Sequence, residues 1–439
     1  MEDNTMKRRA FGKAAFGTVV GAALGGSQMG RLILPAQAAG SDLAPGFKIN
    51  AANLDQVMNS TFEGKTIRSM LTDILEMQIR KYNLQITLRQ SEAIPLDQRY
   101  LDWTAKNRTS GKITYDPTTR LVSGWEAGIP FPDVDEKDPN AATKLMWNYF
   151  YAAPLGQSQF NEFAFLFIDG KSGIERVQKW RYLRFFMKGR WGDQNKKLMY
   201  GDGSELHHTL LFATYPFDLK GVGTYTVRYD SPKYDDAWVY LRGVRRTRRL
   251  SGGSWMDPIG GTDQLQDDIA VFNANPTWYP NFKLLGKRTV LAIAHMKWPC
   301  WNVNGKDTAE QFPALDSSQA PFWNPNENWE PREVWVIEAT TPPDHPYSKK
   351  IIYMETKHPN LYFAEAYDRK GEFWKFINFG SLPLVGADGS KTVPQMSGYT
   401  IDFQRNHSTV FFASPDSKTN TLDPPEAVTL GVLEKEGGS

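Results

Sequence analysis

Two short segments of the chain come close to catalytic motifs, and each lacks a residue that the chemistry needs. Gly64–Thr66 has the ending of a phosphate-binding loop, but Asn59 stands where that loop requires its first glycine. Without this glycine the backbone cannot curl around a phosphate and point its N–H groups at the oxygens. Ser254 follows two glycines, but Met256 occupies the closing glycine of a nucleophile elbow. The sequence therefore favours neither a nucleotide site nor this type of nucleophile.

The titratable residues form no recognisable metal or acid–base set. The six histidines are scattered: His207, His208, His295, His345, His358 and His407. His207 and His208 are adjacent, so on a strand they point to opposite faces and do not easily share a metal. A metal site built from distant histidines remains an alternative. The acidic pairs Asp235–Asp236 and Asp267–Asp268 are predicted to be solvated turns or helix caps. Cys300 is the single cysteine and excludes an internal disulfide. We expect no metal and no cofactor.

A cluster of arginines is the strongest local charge feature. Arg242, Arg245, Arg246, Arg248 and Arg249 fall within eight positions. Such a run can bind nucleic acid, but the near-neutral charge of the whole chain argues against that. Two interpretations stay open: an edge strand or turn with ion pairs, or a mouth that grips an acidic head group or an acidic partner loop. Under the second, the candidate ligand-binding residues are Arg245, Arg246 and Arg248.

Tryptophan and proline are concentrated between residues 298 and 329. We interpret this stretch as a long ordered loop lying over something apolar. Its tryptophans are candidates for lining a ligand opening: Trp298, Trp301, Trp323 and Trp329. The competing interpretation is that these rings fill a large core, since buried aromatics dominate core packing.

The first thirty-eight residues resemble a twin-arginine export signal. A weakly apolar, glycine-rich stretch follows the arginine pair, and a small-x-small site ends it, so we place the cleavage after Ala38. The residues of this predicted signal are Arg8, Arg9, Phe11, Ala36 and Ala38. The segment holds five basic and two acidic residues, so its removal changes the formal charge from +2 to −1. We expect a soluble protein in the periplasm.

The rest of the 439-residue chain alternates like a long antiparallel meander. A helix is predicted from a capping box at Ser60 and Glu63 to Asn83, with apolar residues at steps of three and four. A second helix is predicted around 141–150. Strand patterns dominate after residue 160, and the links between them are short, which favours antiparallel neighbours. The predicted class is α+β with a large antiparallel sheet.

Four segments carry a resemblance to a known family. They are Tyr240–Leu250, Asp257–Asp263, Tyr367–Gly371 and Asp402–Thr409. In order and spacing they resemble the domain of unknown function 1329 family, and more broadly the periplasmic lipoprotein-carrier-like (LolA/LolB-like) superfamily. The resemblance covers nearly the whole chain after the signal.

The resemblance implies a large bent, incompletely closed antiparallel β-barrel with helices across its concave side. It implies a single domain over residues 39–413, and we expect a loose polar tail over 414–439. It further implies an apolar cavity for acyl chains, and as partners a resistance-nodulation-division-type transporter and an outer-membrane barrel. It brings no catalytic residues. Fold-level likeness alone is an association and not a mechanism.

Three functions stay open at this point. The first is a soluble periplasmic carrier for lipid or another hydrophobic ligand, which the many aromatic residues and the absence of a catalytic set favour. The second is a structural adaptor of an envelope transport complex. The third is an enzyme acting on a hydrophobic substrate, which twin-arginine export would suit because cofactor-containing enzymes use that route.

The export signal leads to a direct prediction. Replacing both arginines, Arg8→Lys with Arg9→Lys, should leave the unprocessed precursor in the cytoplasm, because the paired arginines are the feature that defines this signal. Fractionation and immunoblotting measure it. Normal processing and periplasmic recovery of the double variant would contradict the assignment.

Overall fold

The computed structural model describes residues 41–191, 197–421 and 425–438. The predicted export signal, residues 1–38, lies outside the described residues. Within the described part, strands dominate and helices are few.

The helices are short, and most of them precede residue 153. Their bounds are α1 (Leu54–Val57), α2 (Ile67–Met70), α3 (Asp73–Tyr82), α4 (Gln98–Ser110), α5 (Ala141–Ala152), α6 (Thr308–Gln311) and α7 (Leu430–Gly438). Short 3-10 helices cover Arg242–Val244, Gly252–Met256, Gln266–Val271, Pro276–Trp278 and Pro425–Ala427. Over the residues that the structure describes, no helix has the length and apolarity needed to cross a bilayer.

The strands are longest in the second half of the chain. The first twelve are β1 (Lys48–Ile49), β2 (Thr61–Phe62), β3 (Lys65–Thr66), β4 (Ile86–Leu88), β5 (Thr114–Asp116), β6 (Leu121–Ser123), β7 (Ser158–Asp169), β8 (Gly173–Phe186), β9 (Glu205–Tyr215), β10 (Gly223–Tyr229), β11 (Asp236–Leu241) and β12 (Arg246–Arg249). The others are β13 (Asn281–Ala292), β14 (Leu315–Asp316), β15 (Asn324–Pro325), β16 (Asn328–Thr340), β17 (Tyr347–Glu355), β18 (Leu361–Asp368), β19 (Phe373–Ser381), β20 (Leu384–Val385), β21 (Lys391–Thr392), β22 (Gln395–Asp402), β23 (His407–Ala413) and β24 (Lys418–Thr419).

One sheet of 16 of the described strands organises the molecule. Its order is β1-β4-β16-β17-β18-β19-β22-β23-β7-β8-β9-β10-β11-β12, with β13 also paired to β16 and β24 to β7. Neighbours are antiparallel except β4 and β16, which run parallel and make the sheet mixed. The sheet is not closed. The predicted large sheet is confirmed, and the parallel pair β4–β16 departs from the antiparallel sheet that was predicted.

The central strand β7 shows how the sheet divides the interior in two. Side chains two residues apart share a face of a strand. Ala164, Leu166 and Ile168 belong to an apolar cluster that also contains α2 and α3, here called the first core. Phe163 and Phe165, on the other face, belong to a separate cluster with β8 and β9. The second face is the one that borders the candidate site.

The helix predicted to begin at a Ser60 capping box is two helices, α2 and α3. The Thr72 hydroxyl accepts a hydrogen bond from the Leu75 backbone N–H at 3.2 Å and starts a new helix there. The Glu63 carboxylate is engaged elsewhere, accepting from the Ser91 N–H at 2.6 Å. The predicted end is confirmed, because Asn83 adopts the left-handed conformation that closes α3.

The segment after residue 413 differs from the loose polar tail expected from its composition. Residues 418–419 pair with β7, and α7 packs on the face of the sheet opposite the candidate site. Val428 and Leu433 are fully buried among side chains of β8, β9 and β10. Leu430 and Val432 pack against the same cluster, so apolar side chains dock this segment on the sheet.

A fully buried ion cluster fastens residues 252–275, here called the covering segment, to the sheet. Lys350 on β17 places its Nζ 2.8 Å from Asp267 Oδ2 and 2.7 Å from Asp268 Oδ1, and all three side chains are 0% exposed. The cross-strand neighbours of Lys350 are Ala339 and Ala366, whose small side chains leave room for it. The carboxylates that the sequence predicted to be solvated therefore form an internal clasp.

Aromatic hydroxyls complete this clasp. Tyr279 donates to Asp267 Oδ2 at 2.5 Å, and Tyr347 donates to Asp268 Oδ2 at 2.7 Å. Burial alone would raise the pKa of Asp267, but the Lys350 ammonium and His345 outweigh it and hold that pKa below its usual range. Burial alone would lower the pKa of Lys350, yet the two carboxylates keep it raised. Asp267 and Lys350 are therefore both charged at neutral pH.

Removing the cation of the clasp should be costly. Lys350→Met leaves two buried carboxylates without a counter-charge, so we expect a loss of about 3–5 kcal/mol in the free energy of unfolding. The matched control is Lys349→Met on the same strand, which breaks only a partly exposed pair with Glu338 and should cost about 0–1 kcal/mol. Urea unfolding measures both.

Adding Asp267→Asn and Asp268→Asn to Lys350→Met should restore part of the lost stability, because it removes the unpaired charges. Equal losses for Lys350→Met and Lys349→Met would contradict the clasp.

Candidate functional site

The candidate site is built on one face of β7, β8 and β9, whose residues pair in register. Three cross-strand rows face the same side: Phe163–Trp180–Ala213, Asn161–Tyr182–Leu211 and Gln159–Arg184–Thr209. Along the strands the rows change from apolar to polar. A ligand lying parallel to β7 would thus meet hydrocarbon at one end and hydrogen-bonding groups at the other.

The main pocket lies between these rows and the covering segment. It contains about 640 Å³ of space free of protein atoms, part of it open to solvent. Its apolar lining is Leu155, Phe163, Phe165, Leu211, Ile259, Ile269, Ala270, Phe379 and Phe411. Gln159, Asn161, Tyr182, Arg184, Gln264 and Gln395 supply its polar groups. Apolar walls with a few polar groups are typical of sites for small hydrophobic molecules.

The covering segment closes the pocket from the side opposite the sheet. Asp263 is held there because its carboxylate accepts from the Thr409 hydroxyl at 2.8 Å and contacts His407 Nδ1 at 2.5 Å. Lys375 donates to the Asp263 carbonyl at 2.6 Å. Together with the clasp, these bonds fix a segment that has little regular structure of its own.

The backbone of the covering segment is strained where it meets the pocket. Ala270 and Val271 have φ values of 54° and 75°, a region that non-glycine residues rarely adopt, and least of all β-branched ones. The Ala270 carbonyl accepts from the Tyr149 hydroxyl at 2.7 Å. This conformation persists only because its surroundings over-determine it.

Two further pockets adjoin the main pocket, and Arg184 borders all three. The second lies toward α5 and the third toward β10 and β11, with about 440 and 680 Å³ of atom-free space. Arg184 therefore borders a group of three pockets, here called the cavity system.

Arg184 is a buried cation to which the described residues supply no counter-charge. Its exposed fraction is 7%, and its Nε has no hydrogen-bond partner. Among the described residues, no carboxylate lies within ion-pair distance of its guanidinium. The nearest aromatic rings are those of Tyr182 and Phe186, with centroids 5.3 and 5.8 Å from Cζ. Leaving an ionised group unpaired in such a site is costly.

Two neighbouring side chains, Arg228 and His207, have hydrogen-bond partners. Arg228 forms a two-pronged pair with Asp235, at 2.6 and 2.7 Å, on the next strands of the same face. His207 Nδ1 and the Thr209 hydroxyl form a hydrogen bond of 3.2 Å. Burial, together with the positive charges of Arg184 and Arg228, holds the pKa of His207 well below its ordinary value. At neutral pH the imidazole is therefore uncharged.

The histidines lie in different parts of the fold and contact different partners. His345 belongs to the clasp, His407 pairs with Asp263, His295 contacts Glu330, and His207 and His208 lie on opposite faces of β9. Within the ranges that the structure describes, His, Cys, Asp and Glu side chains do not assemble in groups of three that could hold a metal ion.

The four tryptophans chosen from the sequence lie away from the main pocket. Trp301, Trp323 and Trp329 are buried members of the first core, and Trp298 packs against it. Trp323 is 0% exposed and its ring lies 6.2 Å from that of Tyr82. The stretch from 298 to 329 contains α6, β14 and β15 and lies against the face of the sheet opposite the pocket.

The arginine cluster lies at the sheet edge. Arg242 begins a 3-10 turn and donates to the Phe217 carbonyl, and Arg249 pairs with Asp236. Arg245, Arg246 and Arg248 are exposed, and in the described part of the chain no carboxylate lies within ion-pair distance of them. β12 is the last strand of the sheet, so these side chains do not border the main pocket.

The sequence-based prediction did not include Arg184 or the residues around it. A signal was available, because Trp180, Tyr182, Arg184 and Phe186 alternate along β8 and place one arginine on an aromatic face. What the alternation does not reveal is that this face is covered, which depends on contacts between β17 and residues 267–268.

Comparison with protein families gives one match. The profile of the family described as "Protein of unknown function (DUF1329)" matches residues 48–429, most of the chain. A comparison with curated proteins finds no match.

Several solved structures are similar at low identity. One is a putative outer membrane lipoprotein-sorting protein domain from Vibrio parahaemolyticus, with 16% identity and a TM-score of 0.42 over 63% of this chain and 91% of that chain. A DUF1329 family protein from Desulfovibrio piger has 17% identity and a TM-score of 0.42 over 63% and 92%. A LolA superfamily protein from Nitrosomonas europaea has 14% identity and a TM-score of 0.38 over 66% and 98%. The family match carries more weight than these likenesses.

The position of Trp323 separates packing from ligand binding. Trp323→Ala should lower the free energy of unfolding by about 3–5 kcal/mol, because it empties a core site. It should change the affinity for a hydrophobic probe much less. The control Phe217→Ala, at an exposed ring, should cost about 1 kcal/mol or less. Denaturant unfolding and probe titration measure the two effects. A large loss of affinity with little loss of stability would instead favour the sequence-based assignment.

Proposed function

Because the chain belongs to the DUF1329 family, whose description names no activity, we propose from the geometry of its main pocket that it binds and carries lipid or another hydrophobic ligand. The observation that carries the proposal is a largely apolar pocket held open between a sheet face and a clasped covering segment. The rigid cover favours a preformed site over a flat contact surface.

The proposal includes the setting that the sequence suggests. The protein would be exported to the periplasm, act there as a single soluble domain over residues 39–413, and exchange ligand with a transporter and an outer-membrane partner. The sheet would bend into an incompletely closed barrel with helices across its concave side. The motif resemblance and the export signal support these points.

The expected affinity is moderate. An acyl chain of sixteen methylenes gains roughly 13 kcal/mol if fully buried, at about 0.8 kcal/mol each. Lost freedom on association takes back about 4–15 kcal/mol. A dissociation constant on the order of micromolar follows from partial burial, and it suits a carrier that must release its ligand.

A neutral fluorescent hydrophobe tests the proposal. N-phenyl-1-naphthylamine should bind delipidated protein saturably, with enhanced emission. Leu155→Phe places extra volume in the main pocket and should weaken binding by about tenfold or more, at a stability cost of about 1–3 kcal/mol. The control Leu285→Phe changes an exposed leucine and should leave binding unchanged.

Binding that is absent in the wild type, or equal in Leu155→Phe and Leu285→Phe, would contradict the pocket as the site. The adaptor function would then be favoured over the carrier.

A further inference from the structure

We propose that Arg184 anchors the carboxylate of a single-chain, monoanionic amphiphile whose hydrocarbon lies in the main pocket. The inference rests on the proposed function and specifies the chemistry of its ligand. Arg184 is buried, borders every pocket of the cavity system, and has no counter-charge among the described residues.

The guanidinium of Arg184 needs a partner with a negative charge. A protein that buries a guanidinium ordinarily pairs it with a carboxylate. This chain does so for Arg228, which lies on the same face of the sheet and pairs with Asp235. For Arg184 it supplies aromatic rings and open space. An anionic ligand would provide the missing partner, and a guanidinium matches the two oxygens of a carboxylate.

The wall of the main pocket changes from polar to apolar along β7, which gives a bound amphiphile a direction. Arg184 pairs across the sheet with Gln159 and Thr209, which form a polar row. Phe163 and Phe165 follow along β7, and from the Gln159 row to Phe165 the strand spans about 20 Å at 3.3–3.4 Å per residue. A head group at Arg184 thus points its chain along the apolar rows.

The charges of the side chains around Arg184 favour a ligand head with one negative charge. Arg228 is neutralised by Asp235, and His207 is uncharged because burial and the nearby arginines lower its pKa. Among these three side chains, Arg184 alone keeps a positive charge that the described residues do not neutralise. A monoanionic head balances it, whereas a dianionic phosphate would bring an excess negative charge into a buried site.

Displacement of N-phenyl-1-naphthylamine by three twelve-carbon ligands tests this chemistry. Laurate, dodecyl phosphate and 1-dodecanol share one chain and differ in the head. The wild type should prefer laurate over 1-dodecanol by about 10- to 100-fold, because a hydrogen-bonded charge is worth that much in a buried site. Dodecyl phosphate should bind more weakly than laurate.

Substitutions at Arg184 assign the preference to one residue. Arg184→Met should remove the preference for laurate while changing 1-dodecanol binding by less than about threefold. Its melting temperature should not fall, since the lost charge was unpaired. Arg184→Lys should retain part of the preference. The control Arg181→Met, on the same strand but paired with Glu162 at the surface, should behave as the wild type.

The outcomes are distinguishable. Probe and ligands that never bind saturably overturn the proposed function, and this inference with it. Probe binding without a head-group preference, or equal losses of laurate and 1-dodecanol in Arg184→Met, overturns this inference alone. Tighter binding of dodecyl phosphate than of laurate overturns the monoanionic head.

Discussion

The contact between Lys350 and the two carboxylates Asp267 and Asp268 is the interaction on which the candidate site depends. The covering segment has little regular structure, so its position is set by the side chains it buries. The same residues that neutralise Lys350 on one side leave Ile269 and Ala270 facing the pocket on the other. The bonds that Asp263 makes with Thr409, His407 and Lys375 support the same position.

The two faces of the sheet differ in how completely they are packed. One face carries the first core, with α2, α3 and the tryptophan-rich stretch, and is packed with large side chains. The other face, over β7 to β9, is left incompletely filled and has a cover that is tied down by ions instead of by hydrophobic packing alone. Dense packing and open space therefore lie on different sides of the sheet.

The sequence predicts the large sheet but does not indicate the pocket beneath the covering segment, for a physical reason. Alternation along a strand and short links are local properties, so the dominance of antiparallel strands after residue 160 could be predicted. Whether a face is open depends on partners far apart in the chain, such as Lys350 with Asp267. Tryptophan content pointed to the segment from 298 to 329, but large rings serve a core as readily as a pocket, and Trp323 is fully buried. The acidic pair 267–268 looked solvated because its counter-ion is 83 residues away in sequence.

The most direct measurement of the central claim is mass spectrometry of organic extracts from natively purified protein, comparing the wild type with Leu155→Phe. The account predicts that the wild type yields a single-chain hydrophobic acid at close to one molecule per chain, and that the blocked variant yields little. Extracts without a bound hydrophobe, or with the same amount from both proteins, would contradict a ligand in the main pocket.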